Sequence, residues 1–144
     1  QISDGASAVI VTTRANAERR GWSVLATIGA SGQTAGPDNS LHAQPARAIE
    51  RALQKQGITV ADLDLVEINE AFGAVVARSV TELGLDPEIV NVHGGGIAIG
   101  HPIGASGNRL VVHLVHELAR RGGGTAVAAL CGGGGQGEAL ILTR

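Results

Sequence analysis

The run Thr125-Ala126-Val127-Ala128-Ala129-Leu130, then Cys131-Gly132-Gly133-Gly134-Gly135-Gln136-Gly137, then Ala139-Leu140-Ile141-Leu142-Thr143, decides the fold class. Two short apolar runs flank a glycine block, which reads as strand, turn and strand, antiparallel if the glycines make a tight turn. Just upstream, Ser106–Arg121 repeats Leu110, Val111, Leu114, Val115 and Leu118 at helical spacing. Its last turn holds Arg120 and Arg121, which suit the negative end of a helix dipole. Further back, Leu65–Ile68 reads as a buried strand, and Ala71–Leu83 as a helix through Phe72, Val75, Val76, Val80 and Leu83. Ala46–Gln56 is helical, with Ile49, Ala52 and Leu53 on one face and Gly57 at its end. Ala6–Thr13 and Trp22–Ile28 read as strands, Ala15–Arg20 as a short helix closed by Gly21, and Gly29–Pro37 as a loop by its Gly, Ser and Pro content. Alternating strands and helices predict an α/β fold, a mixed five-stranded sheet with helices packed on both faces, as one domain over residues 1–144.

Composition narrows the class. Hydrophobic residues make up 44% of the 144, but aromatics only 1%, namely Trp22 and Phe72, so the core is built from Val, Leu, Ile and Ala with much glycine. A net charge of −2 without a block of like charge gives no footprint for nucleic acid or an anionic membrane surface. No apolar run reaches the length of a spanning helix, and no signal-peptide pattern opens the chain. One cysteine rules out an internal disulfide framework and fits a reducing, cytoplasmic setting. With Met 0 and a start at Gln1, the chain is expected to be a piece of a longer polypeptide.

Chemistry concentrates in three blocks: Gly94-Gly95-Gly96-Ile97-Ala98-Ile99-Gly100-His101-Pro102-Ile103-Gly104-Ala105-Ser106-Gly107, the Cys131–Gly137 stretch, and Asn69-Glu70-Ala71-Phe72. One imidazole and one thiol are each set in glycine-rich backbone, which can approach a ligand closely and aim bare N–H groups at it. Neither glycine run is a P-loop, since G-x-x-x-x-G-K-[ST] is absent. Gly132–Gly137 leads into a strand, whereas a dinucleotide fingerprint opens a helix. The serine-elbow pattern fails because Gly104-Ala105-Ser106 is followed by Gly107 and Asn108. His42, His93, His113 and His116 read as structural, and His113 and His116 make no zinc site with the one cysteine far away.

Together the three blocks resemble the second half of the thiolase family, enzymes that make or cleave 3-ketoacyl-CoA, and the resemblance runs from Asp4 to Arg144. It implies a thiolase-like fold, with coenzyme A and acyl-CoA as substrates and no bound cofactor or metal. His101 would activate the nucleophilic cysteine and hydrogen-bond the thioester oxygen. Cys131 would be the acid/base thiol that moves the α-proton of acetyl-CoA. Asn69 would hold a water that helps bind the enolate oxygen. The N–H of Gly133 would belong to a second oxyanion hole, completed by the amide of a cysteine this chain lacks. Ala71 and Phe72 would line the pantetheine channel, with Glu70 behind them. The implied partners are the N-terminal half, expected to be needed for activity, and further copies in a homo-oligomer, a dimer or tetramer.

Some positions depart from the pattern. The family often has asparagine where this chain has His93, and the short-chain enzymes carry a methionine near Gln33–Pro37. Asp38–Ala43 reads as an insertion there, so the acyl-chain length stays open. Two other readings compete: a non-catalytic thiolase-like assembly module, which would not need His101, Asn69 and Cys131 together, and a ketosynthase-type domain, which would carry paired histidines and no Cys131.

Overall fold

The computed structural model describes residues 3–144. Its elements in chain order are α1 (Arg14–Arg19), β1 (Thr27–Ala35), α2 (Gln44–Gln56), β2 (Leu65–Ile68), α3 (Gly73–Leu83), α4 (Gly96–Ile99), α5 (Ile103–Arg121), β3 (Thr125–Gly132) and β4 (Gln136–Thr143). The strands form one mixed sheet in the order β1-β4-β3-β2. β2 runs parallel to β3, whereas β3–β4 and β4–β1 are antiparallel.

Helices cover both faces, as alternation along the strands requires. Val66, Ile68, Val127, Ala129, Ala139 and Ile141 point to one side, where they pack with Ala48, Ile49, Ala52 and Leu53 of α2 and Val75 of α3. Leu65, Ala126, Ala128 and Leu142 point to the other side and meet Leu110, Leu114, Val115 and Leu118 of α5. The glycine block after Cys131 is a tight hairpin: Gly132 pairs with Gln136, and Gly134 and Gly135 take left-handed φ of 81° and 76°. α2 and α5 end in left-handed Gly57 and Gly122, which donate to the last carbonyls of their helices.

The sheet has four strands, not the expected five. Residues 6–13 form no strand, because no neighbouring strand among the described residues offers them backbone partners; Ile10 is 78% exposed. The expected strand at Trp22–Ile28 begins only at Thr27 and runs to Ala35, through the stretch that composition marks as a loop. Small residues serve packing there: a Cβ on Gly32 would collide with the α2 backbone at Ala48 and Ala52. Helix bounds shift modestly, with α3 starting at Gly73, after Phe72, and α5 at Ile103, three residues before Ser106.

The contrast between two glycines gives a test. Gly32→Ala is expected to cost about 3 kcal/mol, at the upper end for overpacking. Gly21 has φ of 67° and open space around it, so Gly21→Ala should cost only about 1 kcal/mol of left-handed strain. Urea unfolding of both variants beside the parent measures this. Equal losses would show that the approach of β1 to α2 is not what requires glycine.

Candidate functional site

Asn69 follows β2 directly, and Cys131 lies near the end of β3, its parallel neighbour. The Asn69 amide donates to the Ala129 carbonyl at 2.9 Å, which extends the ladder by one step and keeps the two strand ends side by side. Ligands of open α/β sheets bind outside the carboxyl ends of such strands. The Asn69 side chain is 1% exposed and its Oδ1 has no hydrogen-bond partner. Its Nδ2 lies 3.4 Å from His101 Nε2.

His101 sits between α4 and α5, after Gly100 (φ 91°) and before Pro102, the N-cap of α5. On its other side, Nδ1 is 2.6 Å from the Ser106 hydroxyl, which itself donates to the Pro102 carbonyl at 3.0 Å. The one hydroxyl hydrogen is committed to that carbonyl, so Ser106 accepts from Nδ1–H. In the neutral ring this assigns the lone pair to Nε2, facing Asn69. The result is an imidazole held from behind, with its Nε2 lone pair facing a buried amide side chain.

The loop carrying His101 is braced by Glu70 and Asn91. The Asn91 side chain imitates a strand residue: its Oδ1 accepts from the Ile68 amide at 2.8 Å and its Nδ2 donates to the Ile68 carbonyl at 2.9 Å. Asn91 Nδ2 also donates to Glu70 Oε1 at 2.9 Å, and Glu70 Oε2 accepts from the Ile97 amide at 2.9 Å, at the start of α4. Glu70 explains one glycine, since a Cβ on Gly95 would come 2.6 Å from its carboxyl carbon.

Cys131 is half-buried, and burial pushes its thiol above the usual range, against a smaller opposing effect of its own backbone amide. Gly133 lies exposed in the hairpin turn, with nothing within 4 Å of where a Cβ would stand. Ala71 is partly buried, and Phe72 is 59% exposed, which removes it from the core. Ile97, Ile99 and Ile103 are also exposed around the loop, so the polar centre has an apolar rim. Among the described residues, no group of three or more His, Cys, Asp or Glu is placed to hold a metal ion. Nor is any of their helices long and apolar enough to cross a membrane.

Residues 22–144 match the family description "Thiolase, C-terminal domain". The chain belongs to the thiolase family. Two relatives named probable acetyl-CoA acetyltransferase make the thiolase match close. That of Mycolicibacterium smegmatis is 62% identical over all of this chain and 37% of its own length, and that of Mycobacterium tuberculosis is 60% identical over 99% and 36%. The fold agrees with human mitochondrial 3-ketoacyl-CoA thiolase in complex with CoA: TM-score 0.87 and 44% identity, over 91% of this chain and 33% of that one. The chain thus spans about a third of the length of these proteins. Residues 3–21, with α1, precede the family match but align with the mycobacterial relatives.

Sequence reading of this thiolase chain singled out His101, Asn69 and Cys131 but missed Ser106 and the brace of Asn91. A hydroxyl four residues into a helix that starts beside a histidine was an available signal for Ser106. For Asn91 there was none, because its partners lie 21 and 23 residues away in sequence.

Cys131 is the chain's single thiol, so alkylation can be followed by mass without ambiguity. Its raised pKa means less thiolate at neutral pH than a free thiol has. The pH midpoint of iodoacetamide alkylation should therefore lie above that of a free cysteine run in parallel. A midpoint at or below the reference would show that Cys131 is not held in an apolar setting.

Proposed function

We propose that this chain, as one domain over residues 1–144, is the C-terminal catalytic part of a thiolase that transfers acyl groups between CoA thioesters. The observation that carries this reading is the Asn69–His101–Ser106 chain at the ends of parallel strands, with Cys131 on the adjacent strand. The reaction proposed is 3-ketoacyl-CoA plus CoA giving acyl-CoA plus acetyl-CoA, or its reverse, a Claisen condensation.

In the degradative direction a cysteine from the rest of the polypeptide gives its proton to His101 Nε2. Its thiolate attacks the C3 carbonyl carbon, the C2–C3 bond breaks, and an acyl-enzyme forms. The electron pair of the broken bond moves into the departing enolate, and Cys131 delivers a proton to its α-carbon to release acetyl-CoA. His101 passes its proton to Cys131 and then takes one from the CoA thiol. The CoA thiolate attacks the acyl-enzyme carbonyl, and the cysteine thiolate released as the leaving group recovers that proton from His101. In the synthetic direction Cys131 removes the α-proton, and even a thiolate whose pKa burial has raised is too weak a base to do so unaided. The enolate oxygen must be held by aimed donors, each worth on the order of 3 kcal/mol in such sites. Protonated Nε2 of His101 is one donor, and a water on the unpartnered Asn69 Oδ1 is the other. The N–H of Gly133 serves the tetrahedral intermediate. Phe72 and Ala71, with the exposed isoleucines beside them, suit the apolar stretches of a pantetheine arm.

The implied partner is the N-terminal remainder of the same polypeptide, in a homo-oligomer located in the cytoplasm. An apolar cleft of about 670 Å³, lined by Val9, Val11, Trp22, Leu25 and Val115, supports a covering partner on that side.

Two substitutions in the full-length protein test the roles. Cys131→Ala should leave acyl-enzyme formation from acetyl-CoA within about threefold while α-proton exchange of acetyl-CoA falls by about 10³-fold or more. His101→Ala should depress both steps, because it serves nucleophile and oxyanion. Equal losses of both steps in Cys131→Ala, or a loss confined to one in His101→Ala, would mean that the roles are misassigned. This chain alone should form no acyl-enzyme with acetoacetyl-CoA at a turnover-competent rate, as read by intact mass.

A further inference from the structure

A second polar network lies on the same face of β2 as Asn69, and the mechanism above leaves it unused. Glu67 is 1% exposed between β2 and α5. Its Oε1 lies 3.0 Å from His113 Nδ1, a close polar contact whose alignment falls short of a directed hydrogen bond. His113 Nε2 is 2.9 Å from His93 Nδ1, the two rings standing nearly perpendicular. His93 Nδ1 is also 3.9 Å from Glu117 on α5, which is held by Arg120 and Arg121.

A buried carboxylate is costly unless something faces it, and His113 faces this one. The contact between two ring nitrogens requires one ring to donate and the other to accept, so the proton position on each fixes the other. Glu67, His113 and His93 therefore act as one unit. His93 stands in the irregular segment that turns through Asn91 (φ 47°) and Gly94 (φ 77°) into α4 and His101. That segment is tied twice to β2 and its continuation: through Asn91 to Ile68 and Glu70, and through His93 and His113 to Glu67. The anchor points bracket Asn69.

We propose that Glu67, His113 and His93 are positioning residues that set the distance between the Asn69 amide and the His101 ring. The kinetic part of the test rests on the thiolase reading above. It uses the full-length polypeptide, with hydrogen–deuterium exchange of residues 91–101 as a readout that needs no turnover. His93→Ala and His113→Ala should each lower kcat about tenfold and leave KM within about twofold, as expected for a misplaced catalytic group. The double variant should be no worse than either single one, because both break one tie. Exchange in 91–101 should speed up in all three. His93→Asn, whose amide can take the place of Nδ1, should restore both rate and protection, and Glu67→Gln should stay nearer the parent than Glu67→Ala. Additive losses, an unchanged kcat in folded His113→Ala, or lost kcat without faster exchange would overturn the proposal. A parent protein with no acyl transfer at all would overturn the thiolase reading instead. The exchange pattern, non-additive or additive, would then decide the positioning role on its own.

Discussion

The short parallel pairing of β2 with β3 is the constraint on which the site depends. Four residue pairs, Leu65–Ile68 against Ala126–Ala129, are all buried, with helices on either side. Because side chains alternate, a slip of one residue would exchange the two faces. Glu67 and Asn69 would turn toward α2, and Val66 and Ile68 toward α5. Such a register would bury Glu67 and Asn69 against α2, away from His113 and His101, the polar groups that face them in the observed one. The alanines of β3 let both helices settle close to the sheet, and the strand ends that carry Asn69 and Cys131 then open side by side.

Around that frame the loop geometry is set by polar contacts more than by apolar packing. Asn91, Glu70 and Ser106 each take part in at least two hydrogen bonds; four of these bonds hold backbone groups of Ile68, Ile97 and Pro102, and the other two join the side chains to one another and to His101. Apolar residues supply the surroundings: Phe72, Ile97, Ile99 and Ile103 stay at the surface around the polar centre. Removing water from such a centre strengthens each of its hydrogen bonds.

Much of this arrangement was legible in the chain. The helices α2 and α5 announce themselves by period and by glycine ends, and the strand–turn–strand at Thr125–Thr143 by its glycine block. His101, Asn69 and Cys131 were legible as a motif, since their neighbours are as distinctive as they are. β1 was not legible, because Gly29–Ala35 is small to admit α2, and smallness reads locally as a turn. Nor was the network of Glu67, His113 and His93: residues 20 and 46 positions apart share no local signal. The strand expected at 6–13 shows the converse. Its apolar pattern is genuine, but a strand needs a neighbour, and pattern alone does not supply one.

The near-absence of aromatic rings has a practical side. Trp22, 43% exposed with the Arg20 guanidinium 5.0 Å from its ring centre, is the chain's one tryptophan, and there is no tyrosine. The packed interior between α2, the sheet and α5 is therefore optically silent. Fluorescence from this part of the molecule reports the leading segment at residues 8–28 and is blind to the loosening of the core behind it.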